Sequence, residues 1–202
     1  GVGLVADHAI HHVRADFLQF FRQIDVVLFV ETRFELDEEA MLTAITEQLP
    51  AVIYIAYPNN PTANLFDDAV IERIVAAVGK QNGLVVFDEA YQPFSSRSWM
   101  PRLADHDHVL VLRTLSKFGL AGVRLGYLIG PQALIEQVDK VRPPYNISAL
   151  NAEATLFALE HAGEFARQAA VLREVYLTGS GRIRDLRAWV VRPGGTLAVV
   201  AH

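Results

Sequence analysis

The chain has 202 residues, of which 51% are hydrophobic and 20% charged, so it can bury a core and lacks a disordered composition. Its formal net charge is -5 with no block of like charge, which argues against nucleic acid or an anionic membrane as the main partner. Without cysteine it can have neither a disulfide framework nor a cysteine metal site. No basic and apolar leader or bilayer-length apolar run is found, which predicts a soluble cytoplasmic protein.

Short apolar runs alternate with helix-period segments, the pattern of an α/β protein with a largely parallel sheet. The runs that predict strands are Val26–Val30, Ala51–Tyr57, Leu84–Phe87, Val109–Leu112 and Val123–Ile129, the last broken by Gly126. Helices are predicted from Asp37 to Pro50, Phe66 to Gly79, Pro131 to Val141 and Ser148 to about Tyr176, with Gly163 as a candidate bend. After these, Trp189–Val191 and Thr196–Val200 predict a hairpin that begins a second, smaller domain.

Three polar segments follow buried strands, at the carboxyl ends where open α/β sheets bind ligands. Tyr57–Ala63 (YPNNPTA) places two asparagines between prolines, which predicts a rigid turn that presents side-chain amides. Asp88–Tyr91 (DEAY) places two carboxylates where an apolar strand ends, so at least one should be poorly solvated and need a partner. Arg113–Arg124 (RTLSKFGLAGVR) combines hydroxyls, a lysine, glycines and arginines, which suit a phosphate and a reactive amine.

Each segment alone also has an ordinary structural interpretation. The first can be a plain turn, the second a helix cap or surface pair, and the third a loop with a solvated lysine. Gly119 and Gly122 do not form a dinucleotide-binding fingerprint. The occurrence of all three in this order, each after a buried strand, favours a functional site.

Four strings together resemble the fold-type I pyridoxal-phosphate (PLP) aminotransferases, and among them the histidinol-phosphate aminotransferase branch. They are Tyr57–Asn64 (YPNNPTAN), Asp88–Phe94 (DEAYQPF), Arg113–Tyr127 (RTLSKFGLAGVRLGY) and Lys140–Asn146 (KVRPPYN). The resemblance runs from about Phe34 to Asn151. It implies an α/β three-layer sandwich with a mostly parallel sheet, the PLP-binding large domain, over residues 1–147, incomplete at its N-terminal end. Residues 148–202 would be a long connecting helix and the start of a small α+β domain.

The resemblance implies pyridoxal 5′-phosphate as the cofactor and a set of site residues. The catalytic residues it implies are Lys117, Asp88 and Tyr91, and the further cofactor contacts are Asn60, Thr114, Ser116 and Arg124. The lysine would form the Schiff base and then move the proton between the substrate Cα and the cofactor C4′. The aspartate would keep the pyridine nitrogen protonated, and the asparagine and tyrosine would hydrogen-bond the phenolic oxygen. The two hydroxyls and the arginine would hold the phosphate.

The implied reaction is transamination of histidinol phosphate with 2-oxoglutarate, in histidine biosynthesis, by a homodimer. Alternatives in the same fold are an aromatic or broad-range aminotransferase and a phospho-amino-acid decarboxylase. A non-catalytic ligand-binding module of this fold, or an inactive remnant, is a further alternative from another class. We find no upstream phosphate loop or ring-stacking aromatic in residues 1–23, and the family's substrate-binding arginine would lie beyond His202. We therefore expect a protein limited to these 202 residues to bind PLP weakly and not to transaminate.

Several other residues carry smaller expectations. The family usually has glycine where Ala63 stands, and a methyl group there costs about 1 kcal/mol if φ is positive. Trp99 is expected to be a packing anchor, and Tyr145 and Asn146 a hinge or a plain linker. The histidines are expected to be surface residues and not metal ligands; they are His8, His11 and His12 near the start and His106 and His108 before a strand.

Overall fold

The computed structural model describes residues 29–30, 35–60 and 62–178. Its strands are β1 (Phe29–Val30), β2 (Glu35–Leu36), β3 (Val52–Ala56), β4 (Leu84–Asp88), β5 (Val109–Thr114) and β6 (Gly126–Ile129). Its α-helices are α1 (Glu38–Gln48), α2 (Asp68–Lys80), α3 (Gln132–Val141), α4 (Ala149–Glu160) and α5 (Ala162–Thr178). Short 3₁₀ helices cover Gln92–Phe94, Met100–Asp105 and Ala121–Val123.

Four strands form one sheet in the order β3-β4-β5-β6, and β1 pairs with β2 in a separate antiparallel ribbon. Strands β3 and β4 run parallel, because Leu84 N donates to Ala51 O at their starts and Tyr57 N to Asp88 O at their ends. β6 is antiparallel to β5, with Val111 opposite Ile129. The predicted α/β class with a mostly parallel sheet is confirmed.

The first two helices begin where the sequence places a capping carboxylate. Asp37 Oδ1 accepts a hydrogen bond from Ala40 N at 3.0 Å and caps α1, whose first turn carries two glutamates. Asp67 Oδ1 accepts from Ala69 N and Val70 N and caps α2. α1 ends at Leu49, whose φ of 48° is left-handed, directly before Pro50.

Residue contacts divide the chain into two compact units, and β3 and β4 each contribute residues to both. In the unit that contains β1, β2, α1, α2 and the starts of these strands, the buried hydrophobic side chains are Ile45, Phe66, Ile71, Ile74, Val75, Val78 and Val85. In the unit that contains the strand ends and the remaining elements, they include Ile55, Tyr57, Phe87, Trp99, Val109, Val111 and Leu115. The domain boundary expected after Ile147 stays a prediction.

Three details differ from the expectations. Tyr54 in β3 is 71% exposed, so the expectation that both faces of this strand are covered is wrong at that residue. Residues Ala121–Val123 form a 3₁₀ turn, and β6 begins only at Gly126, since Arg124 adopts a left-handed φ of 53° that ends the turn and interrupts an extended run. The hairpin expected between Trp189 and Val200 lies outside the described residues.

The long helix expected from Ser148 is two helices that break at His161. Its ring stacks on the ring of Phe157 at 4.2 Å, and its Nδ1 lies 2.8 Å from the carbonyl oxygen of the same residue. His161 itself has a φ of -105° and ψ of 20°, outside the helical range. The bend therefore lies at His161, and Gly163 falls in the first turn of α5.

Candidate active site

The three polar segments begin at the ends of three neighbouring strands. Tyr57 N donates to Asp88 O at 2.9 Å, which joins the end of β3 to the end of β4. Glu89 N donates to Leu112 O at 2.8 Å, which joins the end of β4 to β5. The sequence argument for one shared edge of the sheet is therefore confirmed for these backbone positions.

The first segment is a turn held by its own side chains. Asn59 N donates to Asn64 O at 3.0 Å, and Ala63 N donates to Asn59 O at 2.6 Å. Thr62 Oγ1 accepts from the amide of Asn59 and donates to the amide oxygen of Asn64. Asn60 is exposed at the tip, so the expected presentation of an amide fits Asn60, whereas Asn59 and Asn64 stabilise the turn itself. Ala63 has a φ of 57°, the left-handed conformation that makes its methyl group costly.

Asp88 and Tyr91 lie on the turn that follows β4. Asp88 is half-buried, and its Oδ1 accepts from Ala90 N at 2.9 Å, so this carboxylate fixes the first step of the turn. Tyr91 is also half-buried. Its ring lies beneath the amine of Lys117, with the Nζ 5.1 Å from the ring centroid, within the range of a cation–π contact.

The loop after β5 holds a pair of hydroxyls and an exposed amine. Thr114 Oγ1 lies 2.7 Å from Ser116 Oγ and accepts from Ser116 N at 3.1 Å. A backbone bond from Leu115 N to Leu125 O closes the loop, and Lys117 and Arg124 are both exposed within it. The structure thus brings Lys117 together with Tyr91, and the two hydroxyls together with each other.

The expectation that at least one carboxylate at the end of β4 is poorly solvated and needs a partner is confirmed by Glu89, whereas Asp88 is only half-buried. Glu89 has no exposed surface. Its Oε2 accepts from Arg113 Nε at 3.0 Å and Nη2 at 2.9 Å, and its Oε1 accepts from Trp99 N at 2.6 Å. Ser98 Oγ lies 3.0 Å from both carboxylate oxygens. Side chains alternate along a strand, so the residue after Asp88 points to the other side and into the interior.

Arg113 therefore binds a buried carboxylate and not the phosphate that its place in the segment Arg113–Arg124 suggests. Its Nε and Nη2 donate to Glu89, and Nη2 also donates to Ser98 Oγ at 3.0 Å. These three bonds make Arg113 part of the buried network. The expectation that both arginines of this segment suit a phosphate is wrong for Arg113, and Arg124 keeps that prediction. Sequence reasoning missed Glu89 and Ser98; the signal that was available is an arginine at the end of the strand next to two carboxylates.

A cleft of about 180 Å³ adjoins this network. It is lined by Glu89, Gln92, Pro93, Arg113, Thr114, Leu115, Phe118, Tyr127, Leu159 and Ala162. Helix α5 closes the outer side of the lysine loop, because the ring of Phe165 lies 5.4 Å from that of Phe118. A Cβ built on Gly119, whose φ is 99°, would lie 3.2 Å from Phe165 Cδ1, so both the backbone and the packing favour glycine there.

The remaining expectations concern single residues. Trp99 is 1% exposed and stacks on Phe87 at 4.2 Å with an interplanar angle of 11°, which confirms its packing role. His106 and His108 are half-buried, with their ring centroids 5.8 Å apart, so both are only partly exposed. Tyr145 is 99% exposed at a φ of 57°. Its hinge role stays a prediction.

The described part of the chain contains neither a membrane-spanning helix nor a cluster of metal-binding side chains. Within residues 29–30, 35–60 and 62–178, no helix has both the length and the apolar character needed to cross a membrane. The same residues contain no group of three histidine, cysteine, aspartate or glutamate side chains placed to hold a metal ion. His8, His11 and His12 lie outside these residues.

Comparison with known proteins gives the family to which this chain belongs. The model of the aminotransferase class I and II family matches residues 20–184. The chain therefore belongs to the class I and II aminotransferase family.

Two curated relatives that the chain resembles have the same name. The chain is 69% identical to a histidinol-phosphate aminotransferase of Methylibium petroleiphilum over 156 residues, which are 77% of this chain and 42% of that protein. It is 63% identical to the enzyme of the same name from Polaromonas naphthalenivorans over 159 residues, 77% of this chain and 44% of that protein. The chain thus spans less than half the length of the curated relatives it matches.

A solved structure with the same fold contains the cofactor. It is the histidinol-phosphate aminotransferase of Sinorhizobium meliloti in complex with pyridoxal-5′-phosphate. The TM-score is 0.68 at 25% identity, over 82% of this chain and 45% of that one.

Proposed function

We propose that this protein is a PLP-dependent aminotransferase that transfers the amino group of histidinol phosphate to 2-oxoglutarate. The observation that carries the proposal is the exposed amine of Lys117, which lies over the Tyr91 ring beside the paired hydroxyls of Thr114 and Ser116. The names of the relatives at 69% and 63% identity support the choice of substrate.

The side chains at this edge fit PLP by their chemistry. The amine of Lys117 suits the aldehyde of PLP, and the carboxylate of Asp88 suits its basic ring nitrogen. The phenol of Tyr91 and the amide of Asn60 suit its phenolic oxygen. Its phosphate suits the hydroxyls of Thr114 and Ser116 together with Arg124. Bound PLP supplies a ring that takes up the electrons left on the substrate Cα when a bond to that carbon breaks. Each remaining part of the reaction falls to a residue of this chain.

Lys117 is the proposed acid and base. Its amine would hold PLP covalently and, when free, would move the proton from the substrate Cα to C4′. The side chain is exposed and its amine lies over the Tyr91 ring, with no carboxylate of the described residues paired to it, so the amine can turn toward a ligand at this edge.

The other proposed roles concern orientation and charge. Asp88 would accept a hydrogen bond from the protonated ring nitrogen, and the bond from Ala90 N to its Oδ1 holds the carboxylate in place for this. Tyr91 and Asn60 donate to the phenolic oxygen. The phosphate is bound by Arg124 together with the hydroxyls of Thr114 and Ser116. We further propose that the enzyme acts in the cytoplasm as a homodimer, with an amino donor and a 2-oxo acid as its small-molecule partners.

The test is a coupled assay with PLP, histidinol phosphate and 2-oxoglutarate, on a purified protein that contains this chain and has the full length of its curated relatives, of which these residues span less than half. Glutamate should form only when all three are present, and Lys117→Ala should abolish its formation. Lys140→Ala is the matched control, since Lys140 lies on α3 and contacts Gln137. Release of carbon dioxide from a phosphorylated amino acid without glutamate formation would instead assign a decarboxylase.

A further inference from the structure

The most completely buried charged side chain in the unit that holds the site belongs to Glu89, which has no role in the proposed reaction. Among the described residues of the core it is the one charged group with no exposed surface. Four groups donate to its carboxylate: Nε and Nη2 of Arg113, the backbone N of Trp99, and the Ser98 hydroxyl, which lies 3.0 Å from both carboxylate oxygens. Removing one partner of such a pair is costly, but the pair itself adds little stability compared with an apolar packing of the same volume. Its presence therefore points to a role in fixing geometry.

The Ser98 hydroxyl uses both its proton and its lone pairs within this network. The single hydroxyl proton of Ser98 faces the Glu89 carboxylate, while its lone pairs accept from Arg113 Nη2 and Met100 N, both at 3.0 Å. Trp99, whose backbone N donates to Glu89, is 1% exposed and stacks on Phe87. Because every partner is specified, the carboxylate and the guanidinium have one arrangement and not several.

The two ends of this ion pair lie next to the proposed cofactor contacts. Glu89 follows Asp88 directly and precedes Tyr91 by two residues, and its carbonyl accepts from Gln92 N at 3.0 Å to close the turn that carries Tyr91. Arg113 directly precedes Thr114 and lies four residues before Lys117. The ion pair thus ties the turn after β4 to the start of the lysine loop.

We propose that Glu89 and Arg113 are positioning residues that fix the Tyr91 ring and hydroxyl relative to Lys117 and the cofactor. This inference rests on the proposed function, because it assigns the pair a purpose at that site. Displacements of about 1 Å at such a site change rates by about 100-fold, so a pair that fixes two loops has a measurable effect without touching the ligand.

The inference predicts a loss of coupling between Tyr91 and the cofactor when the pair is broken. In the protein without other substitutions, Tyr91→Phe removes one hydrogen bond to PLP. The dissociation constant of PLP should therefore rise roughly 3- to 10-fold. In Glu89→Gln or Arg113→Gln protein the hydroxyl is already misplaced, so the same Tyr91→Phe change should have an effect below about twofold. Arg113→Lys keeps the charge and should restore part of the effect.

The experiment measures the PLP dissociation constant by equilibrium dialysis, and the pH midpoint of the bound cofactor's visible absorbance, in each background with and without Tyr91→Phe. Val109→Ala is the matched destabilised control: it opens the core at the start of β5, and there Tyr91→Phe should keep its full effect. Thermal unfolding of each variant establishes that it is folded. If Glu89→Gln does not fold, Arg113→Gln and Ser98→Ala, which each remove a donor to the Glu89 carboxylate, carry the test.

An equal effect of Tyr91→Phe in every background would overturn the inference and leave the pair a purely structural feature, while the proposed function stands. If the unsubstituted protein binds no PLP, the proposed function fails and the inference fails with it. Loss of coupling in Glu89→Gln and Arg113→Gln but not in Val109→Ala, with partial rescue by Arg113→Lys, is the result we expect.

Discussion

The amine nitrogen of Lys117 lies 5.1 Å from the centroid of the Tyr91 ring. The two residues are 26 positions apart in the chain, and they meet because β4 and β5 are neighbours in the sheet and each carries its polar segment at the same edge. The contact joins the residue proposed to hold the cofactor with one proposed to orient it.

This contact predicts an energetic coupling in the cofactor-free protein. A double-mutant cycle of Tyr91→Leu and Lys117→Met, measured by urea unfolding, should give a coupling free energy of about 0.5–1 kcal/mol, the usual value for an exposed cation–π contact. The same cycle with Lys140→Met in place of Lys117→Met should give a coupling near zero. Equal coupling in the two cycles would mean that the amine does not lie over the ring in solution.

Asp88→Asn should separate cofactor binding from turnover. The amide can still accept a hydrogen bond, but it cannot hold a proton on the ring nitrogen, so the protein should retain PLP and lose roughly 100-fold or more in turnover. Dialysis against PLP and the coupled glutamate assay measure the two quantities. Asp107→Asn, at a fully exposed aspartate, is the control. Near-normal turnover by Asp88→Asn would remove this residue from the proposed site.

Helix α5 should support the lysine loop through Gly119. Gly119→Ala forces an alanine to a φ of 99° and brings its Cβ to 3.2 Å from Phe165 Cδ1, so the free energy of unfolding should fall by about 1–2 kcal/mol. Gly163→Ala in the first turn of α5 meets no atom within 4 Å and should raise it by up to about 1 kcal/mol. Chemical denaturation measures both changes, and the same sign for both would contradict the packing described for the loop.

The turn at Ala63 gives a test of backbone strain. Ala63→Gly relieves about 1–2 kcal/mol of left-handed strain, but it loses a buried methyl group and increases the freedom of the unfolded chain, so the net change should lie within about 0.5 kcal/mol of zero. Ala154→Gly within helix α4 has no strain to relieve and should cost about 1 kcal/mol. Comparable losses from the two substitutions, measured by denaturant unfolding, would show that the strain is absent.

The parts of the fold that could be predicted from the sequence are those fixed by local chemistry. α1 and α2 follow from the capping carboxylates of Asp37 and Asp67 and from an apolar stripe, all within one segment. The break at His161 could not be predicted in this way, because both flanking segments suit a helix and the break depends on the stacking of the His161 and Phe157 rings.

The same distinction applies to the candidate site. Adjacent strand ends could be predicted from the order of the polar segments, since parallel neighbours share an edge. Which of Asp88 and Glu89 is buried could not, because the answer depends on which side of β4 faces Trp99 and Arg113 in the folded chain. Two adjacent carboxylates have opposite directions, and the sequence does not show which direction is interior.

The most direct test of the account is the site at which PLP becomes attached. The protein should be incubated with PLP, reduced with borohydride, digested and analysed by mass spectrometry of its peptides. The chain has three lysines, at positions 80, 117 and 140, so the result is unambiguous. The account predicts the pyridoxyl group on Lys117 alone, and its appearance on Lys80 or Lys140 instead, or on no lysine at all, would contradict it.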